Sequence, residues 1–231
     1  MNSERRRLWD LPTRFFHWLL VLLVAAAIIT GQLGGNLMVW HGRLGVVLAG
    51  LLAFRLAWGF VGSTYARFCQ FAPTPSRLRA YLTGQWQGLG HNPLGALSVF
   101  ALLGLLTVQV STGLLANDDI AFVGPLYDLI DKELSNQLTS LHHKIGDLLI
   151  ILIGLHVAAI MFYAHVKKKN LVKPMVTGWH EGEADGESAR GGGALALLLA
   201  LLLAVAALYG ASGAWLPEPP PALPAAQVPA W

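Results

Sequence analysis

An all-α integral membrane protein is the fold class that this chain of 231 residues predicts. Three observations predict it. Hydrophobic residues make up 55% of the chain and charged residues 13%, about half the ~25% charge of a soluble domain. The apolar residues are gathered into five runs, roughly 14–34, 42–62, 94–115, 140–164 and 194–215. Each is close to the ~20 helical residues that cross ~30 Å of hydrocarbon. One cysteine, Cys69, excludes an internal disulfide and a thiolate-bound cluster.

The elements follow in order. The first run comes after a basic segment but has no small-residue cleavage site, so it reads as a retained helix and not a signal peptide. Asp10 and Pro12 suit its first turn, and Asn92-Pro93 suits the start of the third run. Residues 1–178 form one transmembrane bundle of four spans. Residues 179–193, with the stretch EGEADGESARGGG, read as a polar, glycine-rich linker. The fifth span, 194–215, and a proline-rich tail, 216–231, complete the chain.

Charge sets the orientation. Arg5, Arg6, Arg7 and Arg14 precede or open the first span, and Arg67, Arg77 and Arg79 lie between the second and third. Lys167, Lys168, Lys169 and Lys173 follow the fourth. All fall on one side. The opposite loop, 116–139, carries Asp118, Asp119, Asp128, Asp131 and Glu133 against Lys132. Cationic loops stay in the cytoplasm. The N-terminus is therefore expected inside, the acidic loop outside and, with five spans, the C-terminus outside.

The chain has eight histidines. His165 and His180 lie among lysines and read as solvated, and His91, in GHNP, reads as a cap or a headgroup contact. His142 and His156 are 14 residues apart, which returns them to within roughly 40° of one helix face and separates them by about 21 Å in depth. His143 points elsewhere and reads as a surface or supporting residue. His17 matches His156 in depth, and His41 matches His142. Ionisable residues inside a membrane are functional by default. Two axial imidazoles from facing helices suit a haem iron, whereas zinc wants four clustered ligands. The pattern predicts two haems, the inner between His17 and His156 and the outer between His41 and His142. No CxxCH motif attaches them by thioether bonds. The competing account is a set of interhelical hydrogen bonds.

Haem propionates want cations. Arg43 and Lys144 are candidates at the outer haem, and Arg14 and Arg55 at the inner. Arg55, 14 residues after His41, returns to the same face at the inner depth. Snorkelling to headgroups is the other account of these arginines. Gly45 and Gly146, one turn after His41 and His142, leave room for a flat macrocycle or for helix packing.

The segments WDLPTRFFHWLL, WHGRLGVVLAGLLAFRLAWGFVGSTYARF, GHNPLGA, LHHKIGDLLIILIGLHVAAIMFY and NLVKPMVTG, over about 9–178, resemble the bacterial cytochrome b561 family. That family includes the b-type cytochrome subunits of nickel–iron hydrogenases. The resemblance implies a four-helix bundle with two b haems, ligated from helices one, two and four. Its ligands map onto His17, His41, His142 and His156. The fifth span and tail are additions to the simplest members.

Two stacked haems form an electron path, and filled axial positions favour electron transfer over oxygen binding. The resemblance implies a membrane quinone at one end and a periplasmic redox partner at the other. The acidic loop suits a basic c-type cytochrome. Superoxide oxidation with ubiquinone reduction is an alternative, disfavoured by that acidity. A membrane-anchoring hydrogenase subunit is another. Trp18, Trp58, Tyr65 and Arg67 are candidates for a quinone contact, though aromatics there also form interface belts. The fifth helix and tail are candidates to hold a partner subunit or to serve as a simple anchor.

Overall fold

The computed structural model describes residues 5–181 and 187–217. The first helix, α1 (Leu11–Leu33), is capped by Asp10, whose Oδ1 accepts the N–H of Thr13 at 2.7 Å. It ends at Gly34 and Gly35, whose φ values of 63° and 58° allow a reversal that a side chain would oppose. A 3-10 turn leads into α2 (Met38–Val61). Two short helices follow, α3 (Phe68–Phe71) and α4 (Pro75–Leu82). Asn92 caps α5 (Pro93–Leu114) through Gly95 N–H at 2.7 Å.

The helix α6 (Lys132–His165) has 34 residues and starts eight residues before the apolar run. At 1.5 Å per residue it is about 51 Å long, well beyond the bilayer core. Its polar first turns are stabilised by specific bonds. Asp131 caps Leu134 N–H at 2.8 Å. Ser135, fully buried, donates to Leu115 O at 2.7 Å and accepts from Asn117 Nδ2 at 2.7 Å. Hydropathy saw only the apolar part of this helix.

Among the described residues five helices are long and apolar enough to cross a membrane: α1, α2, α5, α6 and α8 (Ala194–Ala211). The protein is an all-α, multi-pass membrane protein. Its helices pack as α1 on α2, α2 on α5 and α5 on α6. Among the described residues α6, which carries His142 and His156, does not close-pack against α1 or α2, which carry His17 and His41, so a cleft lies between α6 and the α1–α2 pair. Phe16, Leu48, Leu52, Leu106 and Leu149 belong to the buried core. The fifth span lies along α2. At Gly50 an added Cβ would stand 3.0 Å from Ala204 O and 3.1 Å from Leu208 Cβ, so a small residue permits this approach.

A short helix, α7 (Val172–Thr177), precedes a two-stranded antiparallel sheet of β1 (Arg5–Arg7) and β2 (Trp179–Glu181). Gly178 O accepts from Leu8 N at 2.8 Å and Trp9 N at 3.2 Å. Residues 187–191, in the glycine-rich stretch, are tied down as well. Thr64 N donates to Arg190 O at 2.8 Å, Ala189 N donates to Arg7 O at 2.7 Å, and Tyr65 Oη donates to Glu187 O at 2.6 Å. The tail beyond Pro217 lies outside the described residues.

Candidate haem-binding site

The cleft brings the candidate histidines together in two places. At one end the rings of His41 and His142 face each other, with centroids 5.9 Å apart and planes crossed at 88°. Each ring is seated in the same way. His41 Nδ1 lies 2.9 Å from Ala27 O on α1, and His142 Nδ1 lies 2.9 Å from Gln109 O on α5. A carbonyl only accepts, so both Nδ1 atoms donate, and each Nε2 carries a lone pair. Four residues after each carbonyl stands a glycine. A Cβ on Gly31 would lie 2.9 Å from His41 Cε1, and a Cβ on Gly113 would lie 2.7 Å from His142 Cε1. Both rings occupy space that only glycine leaves free. Gln109 Nε2 also reaches His142 Nε2 at 3.1 Å.

At the other end His17, on α1, lies within electrostatic reach of His156 on α6. Both are half-buried, and His17 Nδ1 is shut off from solvent without a hydrogen-bond partner. Arg55 is 3% exposed, and its guanidinium sits 4.7 Å from the Phe68 ring and 6.0 Å from that of Phe16. Arg55 Nη1 and Arg14 Nε are buried without partners. Asp10, also buried, accepts Trp58 Nε1 at 2.9 Å through Oδ2 and so joins the start of α1 to the end of α2.

The remaining candidates are placed differently. Arg43 is exposed, 4.9 Å over the Trp40 ring. It lines a cavity of about 600 Å³ with Gly42, Val46, Phe122 and Ser212, a lining that includes neither His41 nor His142. Lys144 and His143 are exposed, although the rings of His143 and His142 are only 6.2 Å apart. A Cβ on Gly45 would meet no heavy atom within 4 Å, and one on Gly146 would lie 3.3 Å from Gln109 Nε2. Of the aromatic and basic candidates for a quinone contact, Trp58 serves Asp10. Trp18 Nε1 donates to Met175 O at 3.2 Å, and Tyr65 to Glu187 O. Arg67 keeps a buried Nε without a partner.

Residues 8–178 match the family described as prokaryotic cytochrome b561. The chain belongs to that family. A curated relative from Escherichia coli (strain K12), "Probable Ni/Fe-hydrogenase 1 B-type cytochrome subunit", is 23% identical over 143 residues, 48% of this chain and 60% of its own length. The "Probable Ni/Fe-hydrogenase B-type cytochrome subunit" of Rhodobacter capsulatus is 24% identical over 219 residues, 77% of this chain and 84% of its own. The protein of the same name from Azotobacter vinelandii is 25% identical over 220 residues, 77% and 89%. The chain thus spans 60% of the length of the Escherichia coli relative. No solved structure matches.

A b-type cytochrome takes haem b, and the residues present fit that group. Metal–imidazole bonds of about 2 Å would put two axial ring centres about 6 Å apart, close to the 5.9 Å between His41 and His142. Nδ1–H donation to a carbonyl is how ligating histidines fix their tautomer. The unpartnered nitrogens of Arg14 and Arg55 call for an anion, such as a propionate. Among the described residues no group of three or more His, Cys, Asp or Glu gathers as a metal cluster.

Sequence reasoning missed Gly31, Gly113, Ala27 and Gln109. A weak signal existed. Each glycine lies in an apolar span at the depth of the histidine opposite. The carbonyl contact, however, depends on the neighbouring helix and has no sequence signature. His91, read as a cap or a headgroup contact, does not cap α5. Asn92 does the capping, and the His91 ring packs between aromatic side chains.

Proposed function

We propose that the chain is a di-haem b-type cytochrome of the bacterial inner membrane that passes electrons between membrane quinone and a periplasmic redox protein. Its N-terminus and the His17 end are cytoplasmic, and the His41 end and the C-terminus are periplasmic. The observation that carries this reading is the crossed His41–His142 pair, with both Nδ1–H groups bound to carbonyls and both Nε2 atoms therefore bearing lone pairs, that of His142 accepting from the Gln109 amide, which a metal would displace. His17 and His156 supply the second pair at the other depth, with Arg14 and Arg55 as propionate partners. Haem supplies one-electron chemistry when bound. The chain's residues set its ligands, its charge and its shielding from water.

The acidic loop supports docking of a basic c-type cytochrome at the periplasmic face. Part of its charge has internal duties. Asp118 Oδ1 accepts the N–H groups of Phe122, Ile120 and Ala121 at 2.8–2.9 Å. Asp119 pairs with Lys132 at 2.8 Å, and Asp131 caps α6. Asp128 and Glu133 have none of these duties, although Glu133 Oε1 accepts from Gln137 Nε2 at 3.3 Å.

The names of the curated relatives favour a second reading, the membrane-anchoring b-type cytochrome subunit of a nickel–iron hydrogenase. On that reading the face of α8 turned away from α2, with Leu198, Leu202 and Val205 exposed, holds the partner subunit. Purification in mild detergent separates the two. Reduced-minus-oxidised spectra should show two b haems per chain. A co-purifying c-type cytochrome supports the first reading and hydrogenase subunits the second. Absence of haem absorbance defeats both.

A further inference from the structure

His91 precedes α5 without capping it and sits at the cytoplasmic end of the cleft. Its ring lies 4.7 Å from that of Trp9 and 4.6 Å from that of Phe71. Phe71 touches Phe68 at 5.9 Å, and Phe68 carries the Arg55 guanidinium at 4.7 Å. On the other side, Trp9 O and Arg14 Nη1 meet over Gly178, 2.9 Å and 2.7 Å from where its Cβ would be. Three buried nitrogens without partners therefore gather at this end: Arg14 Nε, Arg55 Nη1 and His91 Nδ1. Burial, then the nearby Arg55, His17 and His156, push His91 down to about 3. It is a neutral imidazole, with one N–H to give and one lone pair.

Three buried polar nitrogens at one end of the bundle need an acceptor there, because orphaned buried donors are rare. Two are cationic, so the acceptor is an anion. The reading of this end as a haem site supplies one. A haem held there would bring its propionate carboxylates to this end of the bundle.

We propose that His91 donates a hydrogen bond to a propionate of the haem held between His17 and His156, completing an anion cradle with Arg14 and Arg55. The inference rests on the haem reading of this end. In the cradle Arg14 and Arg55 supply charge, and His91 supplies direction without adding charge. The ring is held by Trp9 and Phe71, so its N–H is fixed in advance. His91 is thus a positioning residue for haem and a setter of its potential.

Redox titration of the full-length protein in detergent tests this. The two midpoints are first assigned with His17→Ala and His41→Ala. His91→Phe keeps an aromatic ring between Trp9 and Phe71 but removes the N–H, whereas His91→Gln keeps a donor. His91→Phe should lower the midpoint of the His17-end haem, because a less compensated carboxylate favours the ferric state. It should also move the pH dependence of that midpoint to higher pH, because the propionate is held less firmly as an anion. The other midpoint should not move, and His91→Gln should stay near the wild type on both counts. Unchanged values in His91→Phe overturn the proposal, as do equal shifts in both variants, which would mark a packing role. Loss of this haem in His91→Phe alone supports the proposal, and its loss in both variants overturns it. With a propionate in the cradle, exchange into phosphate-free buffer alters neither midpoint, whereas a midpoint that follows phosphate marks a free phosphate there and overturns the proposal. A wild-type protein with no wave removed by His17→Ala would instead defeat the haem reading itself.

Discussion

Gly113→Ala should weaken haem retention at the His41 end. The added methyl would stand 2.7 Å from His142 Cε1 and 3.0 Å from Nδ1, closer than carbon and nitrogen tolerate without a shift. The helix backbone of α5 cannot give way cheaply, so the imidazole must move, and moving breaks its 2.9 Å bond to Gln109 O. Overpacking costs about 1–3 kcal/mol, and a lost hydrogen bond about 0.5–1.5 kcal/mol. A net effect of about 2–4 kcal/mol on ligand placement corresponds to roughly 30- to 700-fold weaker haem binding. The assay is haem transfer from detergent-solubilised protein to an excess of haem-scavenging apoprotein, followed spectroscopically. Gly104→Ala is the control, because it lies on the same helix and its Cβ would meet no heavy atom within 4 Å. Wild-type retention in Gly113→Ala, or equal loss in Gly104→Ala, would refute the seat.

His142→Ala should remove the haem at that end, whereas His143→Ala, on the exposed side of α6, should leave the haem-to-protein ratio intact. Equal losses would break the assignment. Trp58→Phe strips a 2.9 Å bond from the buried Asp10 and should lower stability by about 1–3 kcal/mol, read as an earlier loss of haem absorbance on heating. Asp118 is held below its ordinary value near 3.8, first by the N–H of Phe122 and then by that of Ile120. A lowered folded pKa stabilises above 3.8, and the contribution is lost as pH falls through the folded value. Protection at Ile120–Phe122, taken relative to the intrinsic exchange rate at each pH, should therefore fall on acidification in the wild type, and already be low at neutral pH in Asp118→Ala.

Much of this architecture was legible because membrane helices obey one dominant constraint. The five spans follow from apolar length, and the spacing of His142 and His156 follows from the helix repeat. The caps at Asp10 and Asn92 are local signals, readable within three residues. What was not legible is relational. The extra turns of α6 from Lys132 depend on Ser135 and Asn117 meeting across a loop. Gly31 and Gly113 matter only because a ring from another helix lies on them. His91 looked like a cap because it sits at a helix entry, and only packing against Trp9 and Phe71 shows its direction. Arg43 was placed by its distance from His41 in sequence, yet two residues along a helix turn a side chain by about 200°, toward the cavity beside Phe122 and Ser212.

The two ends of the cleft differ in a way that predicts how the protein responds to loss of haem. At the His41 end both rings are already bonded to carbonyls, so their positions do not depend on a ligand. At the His17 end Arg14 Nε, His17 Nδ1, Arg55 Nη1 and His91 Nδ1 are buried and unpartnered. An orphaned buried donor costs about 1–3 kcal/mol, and the penalty is relieved either by an anion or by opening the structure to water. Without haem, only opening remains. Haem-free protein, made by expression under haem limitation, should therefore lose hydrogen-exchange protection at residues 11–20 and 52–60, next to these donors. Residues 26–31 and 107–113, which carry the carbonyl seats, should stay protected. Salt should not restore the first group, because the donors are buried. Uniform loss of protection, or a greater loss around Gly31 and Gly113, would show that the carbonyl bonds do not preorganise the His41 end.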